Sequence, residues 1–221
     1  MEVNVMQDIL GKNDALADAM KADFAARRIF VLNLMGSPGS GKTTLMEATL
    51  RALSGEMRIA VIEGDLFTSK DADRIGACGV QVVQINTAGG CHLDAPMVEK
   101  ALQSLKLDEL DLIVIENVGN LVCPAEFALG EDAKAVVLSV TEGDDKPMKY
   151  PLMFKESAVA LINKTDLLPF TNFDLPQATE DIKTIQPGAA VLPISATKGD
   201  GMDVWFDWLR GKVKGKREGA V

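Results

Sequence analysis

The sequence predicts an α/β protein: a P-loop NTPase with a mostly parallel, doubly wound sheet covered by helices on both faces. Three observations carry this. Short runs rich in Val and Ile recur along the chain, each followed by a loop with Gly or Asp and then a longer amphipathic segment, which is the βαβ pattern. Several of these runs are nearly continuous in apolar residues, as strands are when helices cover both faces of a parallel sheet. The first run ends directly in a glycine-rich phosphate loop that itself opens a helical segment.

Taken in order, Asp8 to Arg28 carries Ile9, Leu16, Met20 and Phe24 at a loose helical spacing, so residues 1–28 read as an N-terminal helical appendage to a domain spanning 29–221. Strands are predicted at Ile29–Met35, Arg58–Glu63, Val80–Asn86, Asp111–Ile115, Ala135–Val140, Ala158–Asn163 and Ala190–Ile194, with helices mostly between them. Pro169, Pro176 and Pro187, with the stretch Phe170 to Asp174, mark a surface connection inside the domain, because a strand and a terminal helix still follow. The basic run Lys212 to Arg217 reads as a frayed, solvated helix end.

Composition narrows the function classes. With 221 residues, 47% hydrophobic and 25% charged, the chain sits among soluble globular proteins. A net charge of -9 repels phosphate backbones, so nucleic acid is excluded and a nucleotide site must make its own positive potential. The apolar runs are too short to span a bilayer, no signal-peptide pattern opens the chain, and Cys78, Cys91 and Cys123 are an odd set. The expectation is a cytoplasmic protein without membrane association, whose cysteines serve thiol or metal chemistry instead of a disulfide framework.

Gly36-Ser37-Pro38-Gly39-Ser40-Gly41-Lys42-Thr43 fits G-x-x-x-x-G-K-[ST]. Gly36, Ser37, Gly39, Ser40 and Gly41, continuing into Lys42, Thr43 and Thr44, would turn backbone N–H groups and a helix N-terminus onto phosphate oxygens. Lys42 would reach the β- and γ-phosphates, and the Thr43 hydroxyl would coordinate Mg²⁺. Glu116 closes an apolar strand as a Walker B acid does, and Gly119 completes an E-x-x-G element whose N–H would contact the γ-phosphate. Asp65 ends another strand in Glu63-Gly64-Asp65 and reads either as facing Mg²⁺ or as capping a helix that starts near Ser69. Lys42, Asp65 and Glu116 are the candidate catalytic groups for attack of water on the γ-phosphate. No arginine finger and no efficient water-positioning residue is evident, so turnover is expected to be slow.

The base is read from Asn163-Lys164-Thr165-Asp166, an N-K-x-D element. An ionised Asp166 accepts from the two adjacent donors of guanine, a pair adenine lacks, so the nucleotide is GTP or GDP. Asn163 would brace the loops and the Lys164 stem would lie along the base. Ser195 and Ala196 resemble an S-A-K element whose Ala N–H meets the guanine O6. Lys146 and Lys149 follow a strand on the same rim and read as nucleotide-facing, subunit-facing or simply solvated.

Cys91 and His92, the only histidine, follow a pair of glycines, and Cys123 lies just past Glu116–Gly119. Thiolate and imidazole suit zinc, nickel or copper, although the same cysteines also fit as small buried fillers. Three ligands fall short of a closed tetrahedral shell, so water or a second subunit would complete it. Cys78 reads as packing.

Together Gly36–Thr43, Glu63–Asp65, Thr87–Asp94, Glu116–Pro124 and Asn163–Asp166 resemble the HypB family of hydrogenase nickel-incorporation GTPases over nearly the whole chain. The resemblance implies a SIMIBI-class GTPase metallochaperone that dimerises and helps load Ni²⁺ into the [NiFe]-hydrogenase large subunit, together with a small HypA-like nickel- and zinc-binding partner. It implies Cys91, His92 and Cys123 as ligands for Ni²⁺ or Zn²⁺, Thr43, Asp65 and Glu116 as the Mg²⁺ site, and Asn163, Lys164 and Asp166 as the guanine site. The urease accessory GTPase UreG is the nearest rival, but its C-P-H motif is absent because Cys91 and His92 are adjacent. A metal-binding module that uses GTP only as a conformational effector is the other alternative. Residues Met1 to Arg28 contain none of the cysteine or histidine nickel motifs that some HypB members carry.

Overall fold

A computed structural model describes residues 5–65 and 70–219. Among the described residues seven parallel strands form one sheet, β1 (Phe30–Gly36), β2 (Ile59–Asp65), β3 (Gln81–Asn86), β4 (Leu112–Glu116), β5 (Ala133–Ser139), β6 (Val159–Asn163) and β7 (Ala190–Pro193), in the order β3-β2-β4-β1-β5-β6-β7. Each predicted strand is present, shifted by one or two residues. Helices α1 (Val5–Arg27), α2 (Lys42–Leu53), α3 (Lys70–Gly76), α4 (Ala95–Leu102), α5 (Cys123–Glu126), α6 (Lys146–Lys149), α7 (Pro151–Lys155), α8 (Leu175–Ile185) and α9 (Met202–Glu218) follow or join them.

The period-2 alternation of β1 sorts the core. Phe30, Leu32 and Leu34 face α2 and α9, where Leu45, Leu50, Trp205 and Leu209 are buried with them. Ile29 and Val31 face the opposite side, onto Phe24 and Met20 of α1 and Val98 of α4. A third cluster packs Met35 and Leu138 against Phe154 of α7 and Ile182 of α8. Trp205 also donates its indole N–H to the Thr49 hydroxyl at 2.9 Å, which fixes α9 on α2 with a satisfied polar contact inside apolar packing.

One reading of the sequence is corrected. The basic run near the C-terminus is an ordered part of α9, with Lys216 buried against Asp132 at 2.5 Å and the exposed Arg217 paired with Asp111 at 2.5 Å. Acids near the starts of β4 and β5 hold it, and these partners are distant in sequence. The surface connection read from Phe170 to Asp174 lies between a 3-10 turn, Thr165 to Phe170, and α8, which Asp174 caps by accepting the Gln177 N–H at 2.9 Å, with Pro176 in the first turn. Cys78 packs against the core, as read from the sequence. The capping of a helix near Ser69 falls outside the described residues. Among those described, no helix is long and apolar enough to cross a membrane.

Strand order reverses around β1. The chain runs outward through β2 and β3 on one side and β5 to β7 on the other, so the carboxyl ends of β1, β4 and β5 border a crevice at the switch point. Every site residue considered below hangs from that rim.

Candidate functional site

The phosphate loop leaves β1 at Gly36 and enters α2 at Lys42. Gly41 has φ +99°, and a Cβ there would overlap the Asn163 amide, so the loop closes only with glycine at this point. Gly119 is needed for a different reason: a Cβ would lie 2.9 Å from Pro38, so the segment after β4 rests directly on the phosphate loop. Ser37 donates its hydroxyl to Glu142, whose other oxygen accepts the Ser139 N–H at 3.2 Å. Sequence reasoning missed Glu142 because its role comes from the β5 rim and not from a motif.

A cleft of about 440 Å³ is lined by Gly39, Gly41, Lys42, Thr43 and Thr44 of the loop, by Glu63 and Asp65 of β2, and by Glu116, Gly119 and Lys164. The Lys42 ammonium lies 3.2 Å from the carbonyls of Gly36 and Ser37, and burial pushes its pKa down. The Thr43 hydroxyl donates to Glu116 Oε1 at 2.8 Å. Burial drives the Glu116 carboxyl up to about 7, against the pull of Lys42. Glu63, which sequence reasoning noted only as part of a motif, is pushed up to about 8 by burial first and by Glu116 next. Its Oε2 and that of Glu116 are buried without a hydrogen-bond partner. The signal was available, since Glu63 and Asp65 are two residues apart on one strand and share a face. A hard divalent cation with oxygen ligands fits these carboxylates and the Thr43 hydroxyl.

The base elements are cross-linked to each other and to the loop. Asn163 donates to the Ser40 carbonyl at 2.9 Å, and its Oδ1 accepts the Lys164 N–H at 2.8 Å and the Ala196 N–H at 3.1 Å. Lys164 adopts φ +63° and its ammonium reaches the Gly39 carbonyl at 2.6 Å. Ser195 donates to Asp166 at 2.6 Å and accepts the Lys198 N–H at 3.2 Å. The N-K-x-D and S-A-T-K segments therefore form one hydrogen-bonded unit, of which Lys164 lines the cleft while Asn163, Asp166, Ser195 and Ala196 lie outside its lining. Lys146 and Lys149 both engage Asp145.

Cys91, His92 and Cys123 converge in a second corner of the same rim, with one ligand atom from each lying within 4.8 Å of the others. The two sulfurs are 3.0 Å apart, and Cys91 Sγ lies 3.5 Å from His92 Nδ1. Contact with Cys91, and then burial, push the Cys123 thiol up, while burial pushes the His92 imidazole down against the opposing pull of Asp94 and Glu126. The His92 ring stacks on Phe127 with centroids 3.9 Å apart. Phe127 has no motif around it and was not foreseen.

Asn120 joins the two corners. Its N–H donates to the Gly36 carbonyl at 3.1 Å, and its side-chain amide donates to the Cys91 carbonyl at 3.3 Å. Asn117 makes a second link by accepting the Leu93 N–H at 3.1 Å.

Comparison with known proteins agrees with this geometry. A family model described as the CobW/HypB/UreG nucleotide-binding domain matches residues 30–193. Hydrogenase maturation factor HypB of Escherichia coli K12 is 52% identical over 209 residues, which cover 95% of this chain and 71% of that protein. A crystal structure of HypB from Helicobacter pylori in complex with nickel is similar at 41% identity with a TM-score of 0.87, covering 95% of this chain and 97% of that one. A hydrogenase maturation factor HypB from Archaeoglobus fulgidus has a TM-score of 0.87 at 37% identity, over 92% and 100% of the two chains.

Proposed function

The chain belongs to the HypB hydrogenase maturation factors of the CobW/HypB/UreG nucleotide-binding family, and from that premise we propose that it is a GTP-hydrolysing switch that carries nickel toward hydrogenase. The observation that supports coupling is Asn120, which touches the phosphate loop with its backbone and the Cys91 loop with its side chain.

In this reading Asp166, steadied by Ser195, accepts from the guanine donors, while Asn163 holds the base elements to the loop and Lys164 flanks the base. The loop N–H groups between Gly36 and Thr44 cradle the phosphates, and Lys42 stabilises charge that develops on the β- and γ-oxygens. Water attacks the γ-phosphorus as its bond to the β-phosphate oxygen breaks, giving GDP and inorganic phosphate. Thr43, Asp65 and Glu116 would hold Mg²⁺, which supplies neutralisation of phosphate charge when bound. No arginine among the described residues that line the cleft is free of acidic partners: Arg74 is tied to Glu47 and Asp71. This supports slow turnover without an activating partner.

Nickel is the cargo, held by Cys91, His92 and Cys123, and the same soft ligand set accepts Zn²⁺. Three protein ligands leave the shell short, which supports a homodimer with the corners facing each other; Val122, next to Cys123, is exposed there. Delivery would run through a small HypA-like nickel- and zinc-binding protein to the hydrogenase large subunit. Free thiols suit a cytoplasmic setting. The deciding measurement is Ni²⁺ affinity by competition with a chromophoric chelator, with GDP and with a non-hydrolysable GTP analogue bound. A difference of about fivefold or more is expected. Equal affinities in both states would remove the coupling.

A further inference from the structure

Glu63 is a buried carboxyl in the cleft to which neither the phosphate loop nor the Glu116–Gly119 element gives a use. It pairs in register with Glu116, Glu63 on β2 against Glu116 on β4, so the two Cα atoms lie side by side on neighbouring parallel strands and both side chains line the same cleft. Both residues are nearly inaccessible, at 2% and 4% exposure. Thr43 satisfies one oxygen of Glu116, yet Oε2 of each carboxyl is buried with no hydrogen-bond partner. Asp65 follows Glu63 by two residues and faces the cleft as well. Among the described residues lining the cleft, the buried cation is Lys42, whose hydrogen bonds go to two backbone carbonyls.

Such an arrangement is costly as it stands, because desolvated carboxyl oxygens without donors gain nothing from one another. A hydrogen-bond donor or a cation has to complete it. Among the described groups lining this end there is neither a thiol nor an imidazole, so the fitting cation is a hard one that prefers oxygen. Such an ion binds through one or two carboxylates and keeps several waters, and those waters need acceptors beyond the direct ligands.

We infer that Glu63 is a positioning residue of the magnesium site, accepting hydrogen bonds from water in the ion's shell beside Glu116. This rests on the reading of the cleft as a Mg²⁺–nucleotide site. The competing account is that the two carboxyls merely share a proton. Glutamine separates the two, since it has the size and donor capacity of a protonated carboxyl but lacks the anionic acceptor.

The test uses Mn²⁺ as a paramagnetic stand-in and measures its affinity for the full-length, GDP-loaded protein by electron paramagnetic resonance. GDP affinity is measured in parallel in EDTA. Glu63→Gln is expected to weaken Mn²⁺ about 10- to 100-fold, the usual loss for a group supporting a metal's ligands. Glu63→Asp, which keeps the anionic acceptor, is expected to recover most of that loss. Unchanged Mn²⁺ affinity in Glu63→Gln overturns the inference in favour of the shared proton. A fall in metal-free GDP affinity by the same factor as the Mn²⁺ loss also overturns it, because the residue would then be shaping the cleft and not the ion. Failure of the unaltered protein to bind GDP, or to bind Mn²⁺ in its presence, overturns the underlying reading and is distinguishable from both.

Discussion

The two corners of the rim are built on opposite plans. The base end of the nucleotide cleft is self-satisfied: Asn163 spends its amide on the Ser40 carbonyl and two backbone N–H groups, and Ser195 holds Asp166. The thiol corner is open, with Cys91 exposed and its carbonyl held by one side-chain donor from Asn120. A closed hydrogen-bond network fixes geometry before the ligand arrives, which suits selective recognition of one base. An exposed, lightly anchored cluster can release what it binds, which suits cargo.

The comparison breaks first at Cys123. A Cys123→Ser variant is expected to lose on the order of 100-fold or more in Ni²⁺ affinity, while GDP affinity measured by a fluorescent analogue stays within about twofold if the corners are separable. Asn163→Ala should strike the other corner, since it orphans the buried Ser40 carbonyl and two N–H groups. A loss of about 2 kcal/mol in unfolding free energy is expected in urea titration, with Ni²⁺ affinity unaltered. Removing the ring behind His92 sharpens the contrast least. Phe127→Leu keeps the apolar volume but not the stack, and should weaken Ni²⁺ by only about two- to fivefold in the same chelator assay. A larger drop would mean that the thiol corner is preorganised after all.

Much of this was legible because the chemistry sits in contiguous motifs. The phosphate loop, Glu116 to Gly119 and Asn163 to Asp166 each announce themselves by local spacing, and the seven apolar runs give the sheet by period and length. The convergence of Cys91 and Cys123 was inferable because two strand ends must share a rim in a parallel sheet. Groups that act by contact were not visible. Glu142 grips the loop from the end of β5, Phe127 backs His92, and Lys216 finds Asp132 across 84 positions. Their partners are set by packing between elements, which no local pattern encodes. Glu63 lies between these cases, since strand alternation places it beside Asp65 but only the register of β2 on β4 reveals its pairing with Glu116.

One feature at the edge of the thiol corner bears on how the molecule is made. Asn13 of α1 is buried, accepts the Ala95 N–H at 2.8 Å and donates to the Ala128 carbonyl at 2.9 Å, so it splints the start of α4 to the segment that follows α5. These partners lie 82 and 115 positions further along the chain. At a synthesis rate of about 5 to 20 residues per second, α1 leaves the ribosome roughly 6 to 23 s before its last anchor exists. Helix α1 is therefore seated by Asn13 only after residue 128 has been made, and the cysteine-bearing loops gain their splint only once both have emerged.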